Sequence, residues 1–191
     1  VNAGADTVIC FGDTSVIIGG ARTASNGSGS FGYSWSSLTP SIPVTILDDP
    51  NIANPSVIYN SAVTNDSAIF VVTVFDTASS VTLCEEYDTV VVFFNPEIIA
   101  DTGSVNFVCF DDTISLAGSA TGGSMTGYNY VWTGQNQLVV DTTDNNSVFD
   151  GTISGLYNLT LFAYDQAFLQ CFDSVSFIFE VNDTLFANAG I

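Results

Sequence analysis

The sequence predicts an all-β chain built as two tandem Greek-key β-sandwich domains. Three observations carry that expectation. Short runs rich in Val, Ile, Thr, Phe and Tyr alternate with clusters of Gly, Asn, Asp, Ser and Pro, the pattern of strands separated by turns. No long segment repeats its apolar residues with helical period between helix caps. The same series of motifs also occurs twice, in the same order.

The first copy begins with Val8-Ile9-Cys10-Phe11-Gly12-Asp13-Thr14 and runs into Ser15–Ile18. The second begins with Phe107-Val108-Cys109-Phe110-Asp111-Asp112-Thr113 and runs into Ile114–Leu116, an offset of 109 − 10 = 99. Gly19-Gly20 and the Ser25–Gly32 stretch then supply turns, and Gly118–Gly127 stands at the matching place. Tyr33-Ser34-Trp35-Ser36 matches Tyr130-Val131-Trp132-Thr133, offset 130 − 33 = 97. Each Trp is expected in the core of a third strand, where packing accounts for it better than a ligand platform does. Turn clusters follow at Asp48–Asn51 and Asp144–Asn146. Ala68–Asp76 matches Tyr157–Asp165, offset 157 − 68 = 89, and Cys84 with Asp88-Thr89-Val90 matches Cys171 with Asp173-Ser174-Val175, offset 171 − 84 = 87.

The offset shrinks steadily, as loop deletions produce. The predicted units are 1–97 and 98–186, each of a length and strand number that suits a Greek-key sandwich. Linkers are expected near Phe94–Ala100 and Asn182–Ala187. Residues 187–191 read as a linker or the start of a third repeat, because Ala187-Asn188-Ala189-Gly190 echoes Val1-Asn2-Ala3-Gly4. The chain is therefore expected to be a window of a longer array.

Composition excludes several kinds of chemistry. The 191 residues hold one basic side chain, Arg22, against 20 acidic ones, and no His, for a net charge of −19. Without His or Lys there is no Ser–His or Cys–His nucleophile pair, no Schiff base and no phosphate-loop lysine. One cation cannot grip a nucleic-acid backbone or dock on an anionic membrane. No apolar run approaches the roughly 20 residues of a membrane span. Hydrophobic residues at 47% and aromatics at 13% set the chain apart from acidic disordered tails.

The four cysteines permit three pairings. Repeat symmetry selects one, Cys10–Cys84 with Cys109–Cys171, each bridge closing a long loop worth on the order of 4 kcal/mol in the chain-entropy model. Buried free thiols are the plain alternative, and a metal site lacks the close cysteine spacing it needs. Disulfides imply an oxidising compartment, hence export or the cell surface.

The string Asn2-Ala3-Gly4 with Asp6, Cys10, Gly12 and Asp13, a Gly/Ser-rich turn, Tyr33-Ser34-Trp35-Ser36, Asn54-Pro55-Ser56, a strand ending at Asp76, and Cys84 before Asp88-Thr89-Val90-Val91-Val92 resembles the PKD-like and Ig-like repeats of very large surface adhesins. Such repeats occur in Bacteroidetes-type bacteria, among gliding-motility adhesins and other cargo of type IX secretion. The second unit departs from it by opening with Ile98-Ile99-Ala100-Asp101 and by lacking the Asn-Pro-Ser segment. The resemblance implies spacer or adhesive modules without catalytic residues. The Cys-to-Trp spacing is longer than in antibody domains, so the likeness to them is one of architecture.

Two constellations compete with this reading. Asp101-Thr102-Gly103-Ser104 looks like an aspartic-protease signature, but that chemistry needs two carboxylates sharing a proton, and no second Asp-Thr-Gly exists. The acidic groups Asp48-Asp49, Glu85-Glu86, Asp111-Asp112 and Asp144 could supply oxygens to Ca²⁺, as could Glu97 or Asp101 between units. None has EF-hand spacing, and a solvated acidic surface accounts for them more simply. No other cofactor is expected.

Asp followed by Ser or Thr is enriched. Of 16 Asp, 10 are so followed, although Ser and Thr together make up only 41 of 191 residues. Eight continue with Ala, Ile, Leu, Val or Thr, which resembles the three-residue O-glycosylation motif of exported proteins in that bacterial group. The candidate hydroxyls are Thr7, Ser67, Thr77, Thr89, Thr113, Thr142, Ser174 and Thr184. Turn chemistry alone also places Asp-Thr before strands.

The sequence thus predicts a non-enzymatic structural repeat of an extracellular, cell-surface fibre or adhesin stalk. Its partners would be neighbouring repeats or other copies in the fibre, with no nucleic acid and no membrane insertion. The alternative is a module that binds surface glycans or proteins through loops at one end of a sandwich, where Tyr128 and Tyr130 are the aromatics to watch.

Overall fold

The structure, a computed structural model, describes residues 1–59, 66–78, 84–103 and 108–188. The chain divides into two compact units, Val1–Glu97 and Ile98–Ile191. Both are all-β. Among the described residues the one helical element is a 3₁₀ turn at Val44–Ile46.

Unit 1 contains β1 (Thr7–Ile9), β2 (Ser15–Ile17), β3 (Phe31–Ser37), β4 (Ser56–Ile58), β5 (Asp66–Asp76) and β6 (Glu85–Phe94). One sheet has the order β1-β6-β5-β3, and β2 pairs with β4 in the other. The chain therefore crosses between sheets from β2 to β3, back at β4 and again at β5. The long hairpin strands alternate as their sequences demand. Ala68, Phe70, Val72 and Val74 of β5 point inward with Val90, Val92 and Phe94 of β6. Trp35, on β3, joins them at 3% exposure, and its indole Nε1 donates to the Ile52 carbonyl at 3.0 Å.

Unit 2 contains β7 (Ile98–Asp101), β8 (Val108–Cys109), β9 (Thr113–Ser115), β10 (Ser119–Gly122), β11 (Tyr128–Gly134), β12 (Val148–Asp150), β13 (Gly155–Asp165) and β14 (Phe172–Asn182). The sheet β11-β13-β14-β8 repeats the large sheet of unit 1, while β12 pairs with β9 and β10 with β7. Trp132 is fully buried and donates to the Asp144 carbonyl at 3.0 Å. Phe149, Tyr157 and Phe179 pack edge-on and stacked beside it in one core with Leu159 and Leu161.

The predicted linker Phe94–Ala100 is too wide. Phe94 still belongs to β6 and Ile98–Ala100 already belongs to β7, so only Asn95–Glu97 lie between strands. Pro96 has no N–H and stops the β6 ladder. Ile98 and Ala100 then resume inward burial around exposed Ile99. The second expected linker is also shorter at its start, since Asn182 closes β14.

Candidate functional site: the two poles of each sandwich

The last strand of each unit runs the length of its sandwich and defines two poles. We call the end where β6 or β14 begins the head pole, and the end where it finishes the tail pole. At the head pole Asp88, on β6, accepts a hydrogen bond from the Ala3 N–H at 2.9 Å, and Asp173, on β14, accepts one from Ala100 N–H at 2.9 Å. These carboxylates tie the start of each unit to the start of its last strand. A second pair of aspartates closes the same pole. Asp76 accepts from the N–H and hydroxyl of Ser28 and from the Ala78 N–H. The Ser28 hydroxyl, then the two N–H groups, hold its carboxyl below the usual carboxylate range. Asp165, fully buried, accepts from Ser124 N–H and hydroxyl at 2.6 Å each, from Ala167 N–H at 2.9 Å and from Phe168 N–H at 3.2 Å. Both aspartates end matching runs in the sequence, but their capping role was not readable there. Spacing does not tell which turn folds back on a strand end.

The cysteines correct the sequence expectation. Cys10 and Cys171 are disulfide-bonded, whereas Cys84 and Cys109 are free and exposed. The bridges Cys10–Cys84 and Cys109–Cys171 are not formed. The reason is strand direction. β1 pairs parallel to β6, with Ile9 opposite Phe94, so Cys10 lies at the tail pole. Cys84 immediately precedes Glu85, at the head pole. Ten residues of β6 separate the two levels, about 30 Å at roughly 3.3 Å per residue. In unit 2, β8 pairs parallel to β14 with Cys109 opposite Asn182, while Cys171 immediately precedes Phe172. The separation there is about 35 Å by the same rise. A disulfide needs Cα atoms within about 7 Å.

Each free thiol opens into a recess. Cys84 shares one of about 200 Å³ with Ala24, Phe31, Val74, Asp76 and Glu86. Cys109 shares one of about 650 Å³ with Phe110, Asn182, Asp183, Thr184 and Leu185. The tail pole is also apolar at its surface. Phe11 and Phe110, each following a tail-pole cysteine, are 49% and 39% exposed.

The other candidates are scattered. Asp101 ends β7, and its carboxylate accepts from the Gly103 N–H at 2.8 Å, closing a turn. Ser104 of that motif lies outside the described residues. Asp48 accepts from Asp49 N–H at 2.7 Å and Ser56 N–H at 2.8 Å, with the Ser56 bond the main cause of its lowered pKa. Among the described residues no group of three or more His, Cys, Asp or Glu is placed to hold a metal. Of the candidate hydroxyls, Thr77, Thr89, Thr113, Ser174 and Thr184 are exposed, and Thr7, Ser67 and Thr142 are half-buried. Thr89 and Ser174 do lie inside the last strands, yet on their outward faces. The aspartates before several of them are occupied locally. Asp66, Asp88 and Asp183 each accept from the N–H of the hydroxyl residue that follows.

Tyr128 and Tyr130 lie 6.1 Å apart between ring centroids, and the Tyr128 hydroxyl donates to the Gly122 carbonyl at 2.6 Å. Unit 2 carries a second aromatic group that the sequence reading missed. Phe162, Tyr164 and Phe172 contact one another on the outer face of β13 and β14, with centroids 5.3–6.1 Å apart. The register places Thr73, Phe75 and Glu85 at those positions in unit 1. The signal was present, since β13 carries Phe162 and Tyr164 on the face that alternates with its buried residues.

This architecture is that of tandem Ig-like β-sandwich repeats. No family model matches the chain, and no curated protein matches it. Among solved structures it is similar to extracellular domains 3–5 of Drosophila OTK, with a TM-score of 0.58 and 8% identity over 95% of this chain and 60% of that one. It is also similar to Sidekick-1 immunoglobulin domains 1–4, with a TM-score of 0.52 and 13% identity over 97% of this chain and 48% of that one. The chain thus spans about half to three-fifths of these structures, and identities this low show the fold alone. Disulfide-bonded cysteines indicate an oxidising environment.

Proposed function

We propose that the chain is a structural repeat segment of an extracellular fibre or adhesin stalk on a bacterial surface, of the Bacteroidetes type its motifs resemble. The observation that carries this is the repetition of the pole devices themselves. Each unit has its own core, its own Asp-capped head pole and its own pair of pole cysteines. Modules that are copied whole suit a mechanical load better than a single reaction centre. A charge of −19 keeps neighbouring fibres apart and soluble. The exposed hydroxyls of Thr77, Thr89, Thr113, Ser174 and Thr184 would carry O-linked sugar, which would shield strand edges in a chain without lysine to guard them. Labelling intact cells of the source organism with an antibody to this chain tests the reading. Surface filaments should label, and the natively produced protein should exceed its polypeptide mass. Labelling only after lysis would refute the surface assignment, and a bare polypeptide mass would remove the sugars.

A second reading rests on the aromatic group that unit 2 alone carries. Phe162, Tyr164 and Phe172 would form a platform on which a glycan ring or an apolar protein segment stacks. Glycan-array binding that is lost in Phe172→Ala supports a binding module. An array with no signal supports the plain spacer.

A further inference from the structure

The ladder sets Ser174 against the outer aromatic group of unit 2. Ser174 is exposed on the outward face of β14, directly across from Phe162 on β13. Phe172 precedes it by two residues on the same face, and Tyr164 stands across from Phe172. Side chains paired directly across a ladder start about 4.5–5.5 Å apart, and those two residues apart on one strand about 6–7 Å. Both phenylalanine rings are therefore in reach of a group attached to the Ser174 hydroxyl. The three rings contact one another, and Phe172 keeps 52% of its surface exposed. One step further along the same face, the hydroxyls of Thr160 and Ser176 bond each other at 2.8 Å, so that end of the face is engaged locally. Asp173 alternates to the other side of β14, where it holds the Ala100 N–H. A substituent on Ser174 leaves that tie alone. The face is also neutral. The outward positions from Phe172 to Ile178 on β14 and from Thr160 to Tyr164 on β13 carry no charge, in a chain whose net charge is −19.

We propose that Phe162, Tyr164 and Phe172 form the seat for a neutral sugar carried on Ser174. The platform is then filled by the chain's own glycan and is closed to an outside ligand. The face of an aromatic ring bears negative potential. The apolar side of a pyranose presents C–H hydrogens made slightly positive by the neighbouring oxygens. Stacking the two matches these charges and removes apolar ring surface from water. A covalently tethered sugar also avoids the loss of translational freedom that a free ligand suffers on binding. The neutral class follows from the surroundings, since an acidic sugar would be held on a chain with 20 acidic residues and one basic one. In the attachment step the Ser174 Oγ bonds the anomeric carbon of a phosphate-linked sugar donor. The bond from that carbon to the phosphate oxygen breaks, and the hydroxyl proton passes to a base of the transferase. Unit 1 supplies the contrast. Its outward hydroxyl Thr89 faces the aliphatic Val71 across the ladder. Unit 2 thus departs from the repeat where a stacked sugar requires rings.

This inference deepens the fibre reading and rests on its sugars, but its test separates the two. The chain is isolated from its source organism, the sugar is located by peptide mapping, and its protons are followed by NMR. The reference is the glycopeptide 173–182 released by Asp-N, which lacks all three rings of the seat. In the folded protein the ring protons of the first sugar on Ser174 should lie upfield of the same protons in that glycopeptide. The shift should vanish in Phe172→Ala, with the sugar mass on Ser174 retained, and persist in Phe172→Tyr. Nuclear Overhauser contacts from those protons to the Phe162 ring in the unsubstituted protein give the same test without a variant. A sugar on Ser174 whose protons match the released glycopeptide, with no contact to Phe162, overturns the seat. A bare Ser174 on a protein that labels surface filaments overturns it as well and leaves the fibre reading standing.

Discussion

Asp165 carries more of the head pole of unit 2 than any other single side chain. Its buried carboxylate meets three backbone N–H groups and one hydroxyl. Removing it leaves those part-buried donors without their acceptor, and a lost charged acceptor costs about 1.5–3 kcal/mol per bond at the upper end of the usual range. Asp165→Ala should lower the stability of unit 2 by about 2–4 kcal/mol in denaturant unfolding. Asp76→Ala should cost less in unit 1, because Asp76 makes fewer such bonds and is more open. Asp76 also sets a pH response. Its folded pKa lies below the unfolded one, so its contribution is fully present above the unfolded carboxylate value and is lost as pH falls through the lower folded value. The Ser28 amide resonance should therefore titrate below the usual carboxylate range. A midpoint at or above that range would contradict the hydrogen bonds drawn here.

At the scale of elements, the matching indoles anchor equivalent strands. Trp132 has no exposed surface and fills the middle of its core. Trp132→Ala should cost about 3–5 kcal/mol, and a loss under 1 kcal/mol in thermal or denaturant unfolding would contradict its place. Gly134, which closes β11, has φ +92°, and a Cβ there would come within 2.5 Å of the Asn158 carbonyl oxygen. Gly134→Ala should destabilise unit 2 by more than about 1 kcal/mol in denaturant unfolding, since both strain and overlap oppose it. Strand positions were legible in the sequence because period-two burial is a local property. The Ala68–Asp76 and Tyr157–Asp165 runs are β5 from residue 68 and β13 from residue 157. The parallel pairing of β1 with β6, and of β8 with β14, was not legible, because nothing in local pattern distinguishes a first strand that runs along the last one from one that runs against it. That single topological fact moved Cys10 and Cys109 to the opposite pole from where the repeat symmetry had put their partners.

For the whole molecule, duplication was readable because motif order survived the loop deletions. The same symmetry then misled the cysteine pairing: equivalence of position says which residues play the same part, not that parts within one unit touch. The outer aromatic group of unit 2 escaped for a related reason. It breaks the repeat, and reading by repeat favours what is shared. The two cysteines of each unit lie at opposite ends of its sandwich. Disulfide mapping of the freshly isolated monomer, blocked with iodoacetamide and digested without reduction, tests it directly. Cys84 and Cys109 should be recovered alkylated, and Cys10 and Cys171 oxidised. A peptide joining Cys10 to Cys84, or Cys109 to Cys171, would contradict the parallel pairing of the first and last strands of each unit.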